Sequence, residues 1–162
     1  MILDVFREKQ RLDGIFALIT QLEANDELLA HWAKYLCVLT SGFIENSLRI
    51  ILTRYATDKA SSEVSNFVES CVKGVTNLNE ERIGQLLGAF SSEWRVRFVQ
   101  KRTEMQKSAI DSVIANRHLI VHGRSVGLTI ARMKEYYREV VKVITLVDEE
   151  CVNVRTCRGD LQ

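Results

Sequence analysis

The sequence predicts an all-α fold: an antiparallel helical bundle with a long second helix and short extra helices around it. Three observations carry this. There is no proline among the 162 residues, the eight glycines fall mostly where helices can end, and apolar positions recur at steps of three and four between Lys, Glu, Arg and Ala. A chain of this size with 46% apolar residues can bury one sizeable core, so residues 1–152 are expected to form a single domain and 153–162 a polar, flexible tail.

The first helix is expected over Leu3–Leu22, with Leu3, Phe6, Leu12, Ile15, Ile19 and Leu22 apolar. Asn25 or Asp26 then caps a second helix, and Glu27 suits the positive end of its dipole. Its apolar positions run from Leu29 through Trp32, Leu36, Leu39, Phe43, Ile44, Leu48 and Ile51 to Tyr55, which predicts nearly thirty residues with polar Ser41, Glu45 and Asn46 in the middle. Polar groups there need partners. A third segment carries Val64, Phe67, Val68 and Cys71 and ends near Gly74, and Asn79 caps a short fourth helix whose first turn holds Glu80 and Glu81.

In "SSEWRVRFVQK" the alternation of Trp94, Val96 and Phe98 with Arg95 and Arg97 suits either an extended piece or a turn of helix. Arg95, Arg97, Lys101, Arg102 and Lys107 beside two aromatics could contact a nucleic-acid strand, but a solvated connection with both rings tucked into the core is the favoured reading. A fifth helix covers "SAIDSVIANRHLIVH" and stops at Gly123. Thr129 caps the last one, whose narrow seam of Ile130, Met133, Tyr137, Val140, Ile144, Val147 and Cys151 suits a partner helix.

A net charge of +1 excludes a protein that coats nucleic acid through overall basicity, so any anion binding is local. Cys37, Cys71, Cys151 and Cys157 form no C-x-x-C pair, and neither a signal peptide nor an uninterrupted apolar run of membrane-spanning length is read from the sequence. A reduced, cytoplasmic protein without membrane association is expected.

The chemistry concentrates in "NRHLIVHGRS", which holds two of the three histidines. On a helix, His118 and His122 share a face, whereas Arg117 and His122 lie roughly 140° apart, a separation that a long side chain can wrap around. A histidine able to gain and lose a proton suits acid–base work, and a guanidinium can hold a phosphate bidentately. Cleavage of an RNA phosphodiester asks for such groups, and two copies around a two-fold axis would place two sets in one cleft, so a homodimer is expected. On composition alone, helix-end His and Arg more often cap or solvate. The histidine pair lacks a third ligand at a recognisable spacing, so no metal and no cofactor are expected, and no Ser or Cys sits in a nucleophile signature.

"RHLIVHG" resembles the R-x4-6-H motif of HEPN domains, and "YLCVLTSGFIENSLRIILTRYA" and "HGRSVGLTIARMKEYYREVVKVITLVD" resemble the RiboL-PSP-HEPN or MAE-28990-like branch, over roughly Trp32 to Asp148. The resemblance implies a metal-independent endoribonuclease acting on RNA as a homodimer, of a kind often restrained by an antitoxin protein. It implies Arg117 and His122 as the catalytic pair, with His118 at a position where many members carry asparagine, and Glu45 and Asn46 near the cleft holding Arg117. Asn116 and Arg124 are further supporting candidates; Arg124 would add a phosphate contact if the helix continued past Gly123. Members silenced by nucleotidyl transfer carry a tyrosine where this chain has Arg124, so that control is not expected. The alternative is a HEPN-like module that binds RNA or a protein without cutting.

Overall fold

A computed structural model describes residues 1–22 and 25–153. Among them are seven helices and no strand: α1 (Leu3–Thr20), α2 (Asp26–Lys59), α3 (Ser62–Lys73), α4 (Glu80–Phe90), α5 (Ser92–Lys101), α6 (Glu104–Val121) and α7 (Ile130–Asn153). The tail expected to be flexible lies, from residue 154 on, outside the described residues, as does Cys157.

α2 is the spine. Its 34 residues span about 50 Å, starting where the Asn25 side chain accepts from the Leu28 N–H at 2.9 Å. Leu36, Ile44, Leu48 and Leu52 are fully buried along it, and α1, α3, α6 and α7 all pack on it. By length and composition α2 could also cross a bilayer, with a mean hydropathy of 1.3 over its most apolar window. Among the described residues it is the one helix with that character, although Lys34, Glu45 and Arg49 interrupt its apolar run. In the fold most of its apolar side chains are taken up by the core, while Leu28, Tyr35 and Val38 stay exposed.

α7 supplies the opposing seam: Met133, Val140, Ile144 and Val147 are fully buried, and Tyr137 and Cys151 nearly so. Its start is capped as the sequence predicts, with Thr129 Oγ1 accepting from the Arg132 N–H at 3.2 Å. Tyr137 stacks on Phe16 at 4.6 Å and donates its hydroxyl to Asp13 at 2.7 Å, docking α1. Burial, then Asp13, pushes the Tyr137 hydroxyl well above the ordinary phenol range.

Three sequence expectations need correction. In α1, Leu3 and Phe6 are exposed, and the buried positions are Val5, Leu12, Phe16 and Ile19, because α1 meets only α2 and α7 and so buries a narrow stripe. In α3, Val64, Phe67 and Cys71 are exposed and Val72 is the buried residue, since α3 packs on α2 alone. α6 begins at Glu104, earlier than the apolar pattern predicts, because Thr103 and Gln106 form a reciprocal capping box.

The ambiguous segment is helix α5, and its aromatics are core. Trp94 and Phe98 are buried, with Trp94 edge-on to Tyr55 at 4.8 Å. Two of its basic residues and the one that caps its end meet carboxylates: Arg97 binds the buried Glu150 at 2.6 Å and Lys101 binds the same side chain, while the C-cap residue Arg102 pairs with the buried Glu80 at 2.5 Å and with Glu104 at 2.6 Å. Those cations hold α5 to α7 and to the start of α4.

Desolvation alone would raise the Glu150 carboxyl, but Lys101 and Arg97 outweigh it and hold the group below its ordinary value of 4.5. The folded state therefore keeps this charge more tightly than the unfolded chain. Its stabilisation is complete above the unfolded value and is lost as pH falls through the lower, folded one. Thermal melting between pH 3 and pH 7 is expected to show a fall in Tm on the acid side that is smaller in Glu150→Gln, whose Tm at pH 7 is lower than that of the parent.

Candidate active site at the end of α6

α6 stops by a Schellman turn. The Gly123 N–H bonds the Ile120 carbonyl at 3.0 Å and the Arg124 N–H bonds the Leu119 carbonyl at 2.9 Å. Gly123 has φ +69°, a left-handed conformation that glycine adopts without a Cβ penalty. His122 is thus the C-cap residue, one past Val121, and the helix stops before Gly123 as the sequence predicts. Because the helix does not continue, Arg124 is not carried one turn onward along it; its side chain lies exposed beyond the turn.

His118 and His122 come together at the surface, their ring centroids 4.5 Å apart at an interplanar angle of 63°. Both residues are exposed. Arg117 does not wrap round to them. It is half-buried and turns to the α3–α4 connection, where Nη1 donates to Asn77 Oδ1 at 3.0 Å. Among the described residues no carboxylate pairs with Arg117.

Glu45 reaches this place by a different contact from the one expected: Oε1 accepts from the backbone N–H of Asn77 at 2.8 Å. Glu45 and Arg117 thus share Asn77 as a hydrogen-bond partner and make no bond to each other. Asn46, one residue along α2, points about 100° away; it accepts from Arg49 at 3.2 Å and lines a groove against Leu12 and Ile15 of α1. Asn116 donates to the Ser112 carbonyl of its own helix at 2.8 Å.

Asn77 is the residue that sequence reasoning missed. It has φ 55°, the one positive φ outside glycine among the described residues, and the Asn79 N–H closes a tight turn onto its carbonyl at 3.0 Å. Leu78, 1% exposed, anchors this turn in the core, and Arg82 Nη1 donates to the Thr76 carbonyl at 3.1 Å. The signal in the sequence was "NLN", two asparagines round one leucine: the first accepts a left-handed backbone, the second caps α4 through the Arg82 N–H at 3.0 Å.

Beneath Arg117 lies Cys37, whose thiol donates to the Val113 carbonyl at 3.4 Å. Burial pushes this thiol up to about 12, partly offset by the Arg117 backbone N–H. It is a packed, protonated group with no nucleophilic character near neutral pH. Among the described residues no three His, Cys, Asp or Glu side chains gather in a set that could hold a metal ion.

An all-α domain with an arginine and a histidine five residues apart at the end of an internal helix is the class that fold and site define. The family model described as RiboL-PSP-HEPN matches residues 4–153. The chain belongs to that HEPN family. No curated protein and no solved structure matches it.

Two outcomes test this local geometry. Gly123→Ala meets no neighbouring atom, so its cost is the left-handed backbone alone, about 1–2 kcal/mol in denaturant unfolding. Brief alkylation of the native chain at pH 7.5, followed by peptide mapping, is expected to modify the exposed Cys71 and to leave Cys37 and Cys151, both pushed up to about 12 by burial, unmodified.

Proposed function

We propose that this chain is a metal-independent endoribonuclease of HEPN type, acting as a homodimer in the cytoplasm in a toxin or defence role, with an antitoxin protein as its natural restraint. His122 transfers protons and Arg117 holds the scissile phosphate. The ribose 2′-oxygen loses its proton to a base and attacks phosphorus. The bond from phosphorus to the 5′-oxygen breaks, and that oxygen takes a proton from an acid. The products are a 2′,3′-cyclic phosphate and a 5′-hydroxyl, with no net proton consumed. In the dimer, one His122 serves as base and its two-fold mate as acid, while the guanidinium offsets the charge on the five-coordinate phosphorus.

The observation that carries this reading is the state of Arg117. A half-buried guanidinium costs desolvation and ordinarily acquires a carboxylate. Here its hydrogen-bond partner is a neutral amide oxygen, and the neighbouring carboxylate of Glu45 is engaged by a backbone N–H. The positive charge remains available to an anion. One residue along the helix, the paired imidazoles stand exposed to the same solvent.

The purified chain incubated with RNA in EDTA is expected to cleave it, and His122→Ala to lower the rate about 10²- to 10⁴-fold. Cleavage unchanged by that substitution overturns the assignment. RNA retained but left intact by the parent chain would instead favour the alternative of a non-cleaving RNA-binding module. Because the chain carries a net charge of only +1, substrate contact is confined to the cleft and affinity falls only shallowly with salt.

A further inference from the structure

The geometry points to Asn77 as a positioning residue of the reaction: its side-chain oxygen aims the Arg117 guanidinium without neutralising it. This rests on the reading above, that Arg117 binds the scissile phosphate.

At φ 55° glycine is the cheapest residue, and an asparagine is tolerated there because its short side chain can bond locally. The side chain of Asn77 makes no such local bond; it accepts from Arg117, 40 positions away in the sequence. The turn by itself therefore does not call for an asparagine, whereas the arginine does.

Every polar group of Asn77 with a partner has a separate task. Its N–H is held by Glu45 of α2, its carbonyl by the Asn79 N–H, and its Oδ1 faces Arg117 of α6. With Leu78 buried beside it, the acceptor has little freedom to follow a wandering guanidinium. A guanidinium has five donors, and one is taken here, which leaves a fork for a phosphate.

The chemical choice of acceptor matters as much as its position. A carboxylate at Oδ1 would hold Arg117 more strongly and cancel the charge that the phosphate needs. The available carboxylate, Glu45, is set one bond behind, where it orders the turn and reaches Arg117 only through a neutral amide. Asn77 thus separates rigidity from charge.

The test uses the full chain, an RNA oligonucleotide in EDTA, and three variants. Asn77→Gly keeps the left-handed turn and removes the oxygen. Cleavage at saturating RNA is expected to fall about ten- to hundredfold, with Tm within about 5 °C of the parent. Asn77→Asp keeps the oxygen and adds a charge. It is expected to raise KM for RNA about tenfold and to lower the log–log salt slope by about one.

Parental cleavage by Asn77→Gly, in conditions where Arg117→Ala is inactive, overturns the proposal, and so does a parental KM and salt slope in Asn77→Asp. If Asn77→Gly fails to fold, Asn77→Asp decides alone. Parental cleavage by Arg117→Ala removes the assignment of Arg117 to the scissile phosphate, and the role of Asn77 with it, whereas a parent chain that leaves RNA intact removes the ribonuclease reading itself.

Discussion

Burial of α2 on several sides constrains everything around it. A helix packed by α1, α3, α6 and α7 leaves little solvent-facing exit for its polar middle, and the buried hydroxyls of Ser41 and Ser47 find no hydrogen-bond partner among the described residues, at the cost that burial of an unpaired polar group carries. Thr40 returns its hydroxyl to the Leu36 carbonyl at 2.7 Å, the usual solution for a helical hydroxyl. Glu45 is too long for that. Its carboxylate reaches the α3–α4 connection and fixes the turn there. The polar middle of a core helix thereby becomes the foundation of a surface site.

From that foundation the site is built outward in layers of decreasing burial. The Cys37 thiol and the Leu78 side chain are sealed in the core, Asn77 and Arg117 are half-buried, and His118 and His122 stand in solvent. On the proposed reading, such a gradient would leave the cation partly desolvated, where its charge acts strongly, and the imidazoles open to solvent. The same logic explains why the basic residues of α5 are not part of it: Glu150 and Glu80 already claim Arg97, Lys101 and Arg102.

The helices were legible because their information is local: caps at Asn25, Asn79 and Thr129 and the three-four rhythm of α7 lie within a few residues of what they specify. The nature of α5 was not, since ten residues with apolar groups at 94, 96 and 98 fit two periods equally, and its decisive partner, Glu150, is 53 positions from Arg97. The motif residues Arg117 and His122 could be read from spacing and resemblance. Their surroundings could not. Glu45 was singled out, but its contact is with a backbone group, which leaves no trace in side-chain patterning. Asn46 was misplaced by one helical step, and Asn77 looked like ordinary turn punctuation. Leu3, Phe6 and Phe67 show the same limit from the other side: periodicity marks an apolar face without saying which neighbour arrives to cover it.

The Schellman end of α6 has a consequence beyond stopping a helix. Because Gly123 and Arg124 satisfy the final carbonyls with their own amides, the histidine-bearing turn is complete before the connection to α7 begins. Arg124 and Ser125 then lie exposed, Val126 packs against the core and Leu128 is buried in it. The placement of His118 and His122 is therefore set within α6 and its own closing turn, independently of the connection that follows.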